Sequence, residues 1–510
     1  MPSSSSSSST TTSRSKSPSR TVPPPKKYWY PHGSIDMIAV SDSYSSLGLT
    51  TTALLLIILL ATSATTAIPA LIEVILAAHS AISAMDSTRR IQALGMMVAC
   101  CVGYWRLSRS RRPVYLVDFE VFSPPERMRV TSEKFMRKSR ATGRFSEESL
   151  AFQEKLLSRT GLGENTYFPD NLFDEPPRIG IEEARAEAEE VLGTVFAGLL
   201  AKTGLKPRDV DILIINCSLF NPTPSLASMI VNKFKLRESV LSFNLSGQGC
   251  SAGLISIDLA ADLLQVHRGA NAVVLSTENI TQNWYLGDNR SMLVSNTLFR
   301  VGGAAILLTS SRAARWRAKY TMKASVRVHA AQDDQAYRAV FQCDDGAGRV
   351  GVSLSKELLT SVGGALKANM TRLGPKVLPY SEQLKFFASY CYRRWIQPEH
   401  KQYVPDFAKA FEHYCIHAGG RAIIDGLQQN LKLSDRDVEP SRATLYRYGN
   451  TSSSSVWYEL NYIEKAGRLK SGDRVWQIAV GSGIKCNSVV WQSLKTMKRA
   501  STDEQADVDE

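Results

Sequence analysis

The chain has no Cys-x-x-Cys pair: its eight cysteines are scattered, and only Cys100 and Cys101 are adjacent. That spacing excludes the common zinc-binding arrangements and argues against a disulfide framework, so no metal is expected and any working cysteine is expected as a free thiol. No Gly-x-Gly-x-x-Gly fingerprint or P-loop stands at a strand-to-helix junction, which removes the common nucleotide-cofactor folds. Residues 1–27 contain no acidic side chain and consist largely of Ser, Thr, Pro, Lys and Arg, a composition that cannot bury a core and that plastid transit peptides share. The net charge of +13 owes much to basic residues flanking the N-terminal apolar segments, with no nucleic-acid motif beside it. Nucleic acid is therefore not an expected partner, whereas an anionic membrane surface is.

Two apolar stretches follow the tail formed by residues 1–47. Gly48–Ile68 is long enough to cross a bilayer before Pro69 and Glu73 interrupt it, and Ile91–Trp105 is a shorter candidate ending on the interfacial aromatics Tyr104 and Trp105. Between them, Ala70–Met85 extends the first span, lies in the interface or belongs to a hairpin; the shorter run also suits a buried helix. Arg14, Lys16, Arg20, Lys26 and Lys27 precede the first span and Arg106, Arg109, Arg111 and Arg112 follow the second. Positive-inside bias puts both flanks in the cytosol, the parity of two spans, although Arg89 and Arg90 in the connection weaken it. Residues 48–112 thus read as a membrane anchor with two transmembrane helices, and residues 496–510 as an acidic tail.

Beyond residue 112 the pattern alternates. Strand-like runs at Asp211–Cys217, Val240–Asn244, Ala272–Ser276 and Ala304–Leu308 are separated by helix-like runs such as Ile181–Thr203. This predicts a mostly parallel sheet buried on both faces. The second half adds a helix over Ser355–Leu373, a strand over Phe407–Ile416, and closing strands over Arg474–Val480 and Ile484–Trp491.

Chemistry concentrates at three places. An apolar strand runs into Ser246-Gly247-Gln248-Gly249-Cys250-Ser251-Ala252-Gly253 and an apolar helix, Leu254–Val266, runs out. A cysteine on the first turn of that helix meets unpaired N–H groups and the positive end of the dipole, which lowers its pKa toward the thiolate. Gly247, Gly249 and Gly253 permit a tight turn and close approach. A buried structural cysteine fits the same position. His417 ends a strand at the glycine-rich bend before a helix over Ile423–Leu431, where a histidine is ordinarily a satisfied hydrogen-bonding residue. Asn450 precedes Thr451 and the serine run Ser452–Ser455, which alone reads as an N-cap and polar loop before a helix from Val456. Together, a thiol, an imidazole and a neutral amide suit holding an acyl thioester and then stabilising an enolate oxygen.

At these residues, and in the blocks Tyr115–Glu120, Ser276–Thr281, Asp288–Asn296, Val350–Leu358 and Gly481–Ser488, the chain resembles the plant-type 3-ketoacyl-CoA synthases, condensing enzymes of very-long-chain fatty acid elongation in the thiolase superfamily. The resemblance implies a thiolase-like duplicated α/β fold behind an N-terminal membrane-spanning hairpin, with residues 113–330 as the half carrying the cysteine and 331–495 as the half carrying His and Asn. It implies Cys250 as the acylated nucleophile, and His417 and Asn450 as the groups serving the malonyl half-reaction. His329 and His413 match further family histidines and are expected in supporting roles. Superfamily analogy makes the backbone N–H groups of Cys250 and Ser482 oxyanion donors. The substrates implied are a long-chain acyl-CoA and malonyl-CoA, with no cofactor beyond the CoA they carry. A homodimer, partner enzymes of an elongase complex and the endoplasmic reticulum membrane are implied too, with the catalytic domain facing the cytosol. On that placement the sequons at Asn244, Asn279, Asn369 and Asn450 stay silent. Three positions depart from the family pattern: Tyr446 replaces a histidine, Gln248 a methionine and Cys343 an acidic residue. A tyrosine can donate one hydrogen bond but does not titrate near neutrality, so Tyr446 is left a supporting role. A type III polyketide synthase shares the Cys-His-Asn set and is one alternative. An inactive scaffold subunit is another, against which the retention of Cys250, His417 and Asn450 argues.

Overall fold

The computed structural model describes residues 112–499, together with Thr88, Gly95 and Met96. The first candidate span, the second apart from Gly95 and Met96, the basic tail and most of the acidic tail lie outside the described residues. Thirteen strands occur among the described residues: β1 (Tyr115–Val121), β2 (Arg129–Val130), β3 (Thr166–Tyr167), β4 (Ile212–Asn216), β5 (Leu241–Leu245), β6 (Asn271–Thr277), β7 (Gly303–Thr309), β8 (Tyr320–His329), β9 (Val340–Asp344), β10 (Val350–Leu354), β11 (His413–Ile416), β12 (Arg474–Gly481) and β13 (Lys485–Ser493). Nine of them form one sheet in the order β11-β12-β13-β8-β1-β7-β6-β4-β5.

The sheet's two sections have corresponding strand orders. In β5-β4-β6-β7-β1 the chain order is third, second, fourth, fifth, first; β11-β12-β13-β8 repeats it as second, fourth, fifth, first, with the third strand missing. At the corresponding place in the chain, between β11 and β12, Asn450 makes a lone parallel bridge to Phe299. The expected mostly parallel sheet is instead mixed: β4 with β5, β4 with β6 and β11 with β12 are parallel, and the other five neighbouring pairs antiparallel. Both faces are covered by helices all the same, so the strands carry the near-continuous apolar runs normally associated with parallel sheets.

Side-chain alternation sorts each strand between two cores. Ile212 and Ile214 of β4, with Ala272 and Val274 of β6, face an inner core, while Leu213, Ile215, Val273 and Leu275 face an outer one. The inner core also takes Val475 and Ala479 of β12 and is filled by two helices, Ala252–Val266 and Ser455–Lys465. The helix Ile181–Thr203 covers the outer face of the first section, and the helices Leu358–Val377, Arg421–Leu431 and Asp435–Tyr448 cover that of the second. Only Gly249–Val266, among the described residues, is helical, long and apolar enough to cross a membrane. Its position explains this, because a helix surrounded by packed elements is apolar all round.

Each central helix is entered through a short 3-10 turn, Gly249–Ser251 and Ser452–Ser454. The two turns pack together: a Cβ on Gly253 would lie 2.3 Å from the Ser453 carbonyl oxygen. The Phe407–Ile416 strand expectation holds only for its end, since Phe407–Ala410 is a 3-10 turn whose Ala408 N–H donates to Asp406.

Candidate active site

The turn carrying Cys250 is shaped by its glycines. Gly247 and Gly249 both have φ of +66°, in the left-handed region where a side chain is strained. A Cβ on Gly249 would lie 2.3 Å from the Ser482 backbone N, and one on Gly481 would lie 2.7 Å from the Gln248 carbonyl oxygen. The Gly481–Gly483 turn after β12 is thereby pressed against the cysteine turn, bringing the Ser482 N–H to it. Cys250 itself lies in the first turn of a helix, where backbone N–H groups have no intrahelical acceptor.

Cys250, His417, Asn450, His329, Gln248 and Ser482 all line one cavity of about 1100 Å³. Its apolar wall includes Leu298, Phe299, Val340, Phe341, Val352 and Val362, and its cations include Arg372 and Lys485. His417 follows β11, with its backbone N–H donating to Ile478 at 2.9 Å and Nδ1 held 2.6 Å from the Ser455 hydroxyl. Nε2 lies beside Gly419, whose missing Cβ would stand only 3.1 Å away. Asn450 is fixed at both ends of its backbone, donating to Leu298 and accepting from Arg300, each at 3.0 Å. Its Oδ1 accepts from the Ser452 N–H at 2.8 Å and its Nδ2 donates to the Gly419 carbonyl at 3.3 Å, leaving a second amide hydrogen.

Electrostatics overturn one expectation. Burial pushes the Cys250 thiol up to about 12, with the Glu278 carboxylate adding to the rise and the Ser452 hydroxyl and the residue's own N–H opposing it. Desolvation of the charged sulfur outweighs the helix terminus, so the resting cysteine is a thiol rather than the expected thiolate. Burial likewise lowers His417 to about 4. The site rests as a neutral thiol beside a neutral imidazole.

Glu278, Ser452 and Ser455 were not singled out from the sequence. The carboxylate of Glu278 accepts from Leu219 N at 2.9 Å, Ser218 N at 3.1 Å and the Ser452 hydroxyl at 3.0 Å, and the Cys217 thiol donates at 3.4 Å. The serine run that reads as a polar loop is wholly buried. It forms the entry turn of a helix in the centre of the molecule without capping it through a side chain, and its hydroxyls bond inward, Ser453 to Asn216 at 2.7 Å and Ser454 to the Thr451 carbonyl at 2.9 Å. A serine run before a helix was the one available signal.

The remaining candidates separate. His329, at the end of β8, lines the cavity, and burial followed by the neighbouring Lys485 charge lowers its pKa. His413 stands at the other end of β11, where Nε2 lies 3.1 Å from Asp473, outside this cavity. Four residues of extended chain separate the two histidines of this strand by about 13 Å. Tyr446 is half exposed; its backbone carbonyl accepts from Gly163 at 2.7 Å, and its ring lines a second cavity with Arg421 and Tyr462. Cys343 packs against the Tyr285, Met292 and Leu293 cluster.

A thiol and an imidazole brought by different sections to one deep apolar cavity, on this doubled strand order, define a thiolase-like condensing-enzyme class. Solved structures of similar fold include PKS-I of the brown alga Ectocarpus siliculosus, with a TM-score of 0.59 at 16% identity over 76% of this chain and 99% of that one. The tetrahydroxynaphthalene synthase of Streptomyces coelicolor, a type III polyketide synthase, gives 0.59 at 20% identity over 75% and 99%. Residues 106–395 match the FAE1/Type III polyketide synthase-like protein family, to which the chain belongs, and residues 399–495 match the C-terminal domain of chalcone and stilbene synthases. Among its relatives, 3-ketoacyl-CoA synthase 4 of Arabidopsis thaliana is 55% identical over 76% of this chain and 75% of its own length. 3-Ketoacyl-CoA synthase 11 of the same plant is 56% identical over 76% of each chain.

Proposed function

We propose that this protein is a 3-ketoacyl-CoA synthase that condenses a long-chain acyl-CoA with malonyl-CoA, releasing CO2 and CoA, in very-long-chain fatty acid elongation. The observation that carries this is the single cavity shared by Cys250, His417 and Asn450, with an apolar wall for an acyl chain. Its volume of about 1100 Å³ exceeds the roughly 300–1,000 Å³ of ordinary ligand clefts. The Cys250 sulfur attacks the acyl thioester as its proton passes to His417, giving acyl-enzyme; the proton then leaves with the CoA thiolate. Malonyl-CoA next loses CO2, and its enolate oxygen accepts from the spare Asn450 amide hydrogen and from His417 Nε2–H, in the neutral tautomer whose Nδ1 accepts from the Ser455 hydroxyl. The enolate carbon attacks the acyl thioester, and the backbone N–H groups of Cys250 and Ser482 receive the developing oxyanion; its collapse expels the Cys250 thiolate, which takes a proton from water to restore the thiol, and releases a 3-ketoacyl-CoA two carbons longer. CoA thioesters supply the only carrier chemistry in this scheme.

The relatives' names support the reaction class, and the membrane setting is supported by the apolar runs within residues 48–112. We read the protein as anchored in the endoplasmic reticulum, facing the cytosol among other elongase enzymes. The edge strand β5, whose Leu241 is exposed, suits pairing in a homodimer. The test is membrane-based elongation with labelled malonyl-CoA across a series of acyl-CoA primers, alongside acyl-enzyme labelling without malonyl-CoA. One two-carbon extension, with labelling abolished by Cys250→Ala, is expected. Repeated extension to cyclised products would indicate a polyketide synthase, and normal labelling in Cys250→Ala would place the nucleophile elsewhere.

A further inference from the structure

The helix Tyr380–Trp395 is built inside out. Of its sixteen residues only Glu382 is buried. Tyr380 is 84% exposed, Leu384 66%, Phe387 63% and Trp395 74%, and with Cys391 they recur at intervals of three or four along one stripe. Tyr390 and Tyr392 flank that stripe, and Ile396 and Val404 are exposed just past the helix. The polar side is what the protein holds. Tyr403 Oη donates to Glu382 at 2.6 Å, Lys409 Nζ at 3.0 Å and the Asp406 N–H at 3.1 Å, while the Tyr403 N–H donates to the Ser389 hydroxyl at 2.9 Å. A charged clasp therefore fixes the helix through its acid and turns the apolar side outward, where contiguous apolar surface of this kind marks an interaction site.

The composition of that surface identifies what covers it. Aromatics predominate, Trp395 and Tyr380 stand at the two helix ends, and Lys385, Arg393 and Arg394 are exposed among them. Glu382, the helix's one acidic residue, is sealed in the clasp. Tyr and Trp favour the level of lipid headgroups, and Lys and Arg reach anionic phosphates while laying their stems on apolar surface. A second copy docked by two-fold symmetry would bring this patch against itself, cation facing cation with no acid to answer.

We propose that the Tyr380–Trp395 helix is an in-plane membrane-binding element by which the catalytic domain lies on an anionic bilayer, separately from any N-terminal span. The full chain reconstituted in phosphatidylcholine vesicles containing phosphatidylserine tests this. An environment-sensitive fluorescent amino acid is placed at Phe387 and, as a control, at the exposed Glu154. Nitroxide-labelled lipid should quench the probe at 387 and aqueous iodide should not, with the reverse at 154. Iodide quenching at 387 equal to that at 154 would mean that the face stays in water. Shielding of 387 from both quenchers would mean that protein covers it. Either result overturns the proposal. Phe387 is exposed, so the replacement removes no buried packing, and an unchanged melting curve verifies folding.

Discussion

At the residue scale, the site's resting state is set by burial. With the Cys250 thiol near 12, thiolate is only about one part in 10⁵ at pH 7. A raised thiol pKa means that nucleophilic sulfur appears only as pH climbs, so alkylation of Cys250 by iodoacetamide, followed by peptide mass spectrometry, should rise about tenfold per pH unit from 7 to 10. A plateau near pH 7 or 8 would restore the resting thiolate expected from the helix terminus. Ser452 bridges Glu278 and the cysteine, and its hydroxyl opposes the rise. Ser452→Ala should therefore slow alkylation at fixed pH by roughly threefold to tenfold, the worth of one hydrogen bond, and slow acyl-enzyme formation in parallel. Faster alkylation would show that the hydroxyl restrains the thiol instead. Tyr446 stands outside the cavity, half exposed, so Tyr446→His should leave condensation within roughly tenfold, about 1.4 kcal/mol. A larger change in the elongation assay would tie the second cavity to turnover.

At the scale of elements, the decisive feature is the meeting of two glycine turns. Gly249→Ala would force a Cβ to within 2.3 Å of the Ser482 backbone N while holding a positive φ of +66°. Backbone cannot yield as a side-chain tip can, so about 3 kcal/mol or more of destabilisation is expected, seen as a lower urea midpoint and loss of acyl-enzyme. An unchanged midpoint would mean that the two turns separate freely. The element boundaries themselves were largely legible. Ile181–Thr203 is helical over the span read from its pattern, and the β4, β6 and β7 runs agree within a residue at each end. Phe407–Ala410 was not legible, because a side-chain cap from Asp406 diverts the backbone locally.

At the scale of the whole molecule, burial changes the meaning of the sequons. Asn279, Asn369 and Asn450 are buried, so a folded domain on either side of a membrane would leave them unmodified. Asn244, partly exposed on the edge strand β5, and Asn289, exposed and likewise followed by a serine two positions on, are the informative ones. Treating the native protein with a glycosidase should produce no mass shift there; a shift mapped to either would put the catalytic domain in the lumen and end the two-span topology.

Most of the central strands and helices were legible along the chain, because period and apolar content are local properties, and Cys250, His417 and Asn450 stood out because each lies in a short glycine- or serine-rich junction. The sequence could not tell mixed from parallel pairing, since helices cover both faces either way. Nor could it tell a buried serine run from a solvated one, or a cavity histidine from one held by Asp473 at the far end of the strand, since His417 and His413 look alike in a line of residues. Those matters were settled by packing between distant segments. Desolvation and the partners within hydrogen-bonding reach depend on segments far apart in the chain, such as Glu278 with Ser452, and the same long-range packing turned a presumed thiolate into a thiol.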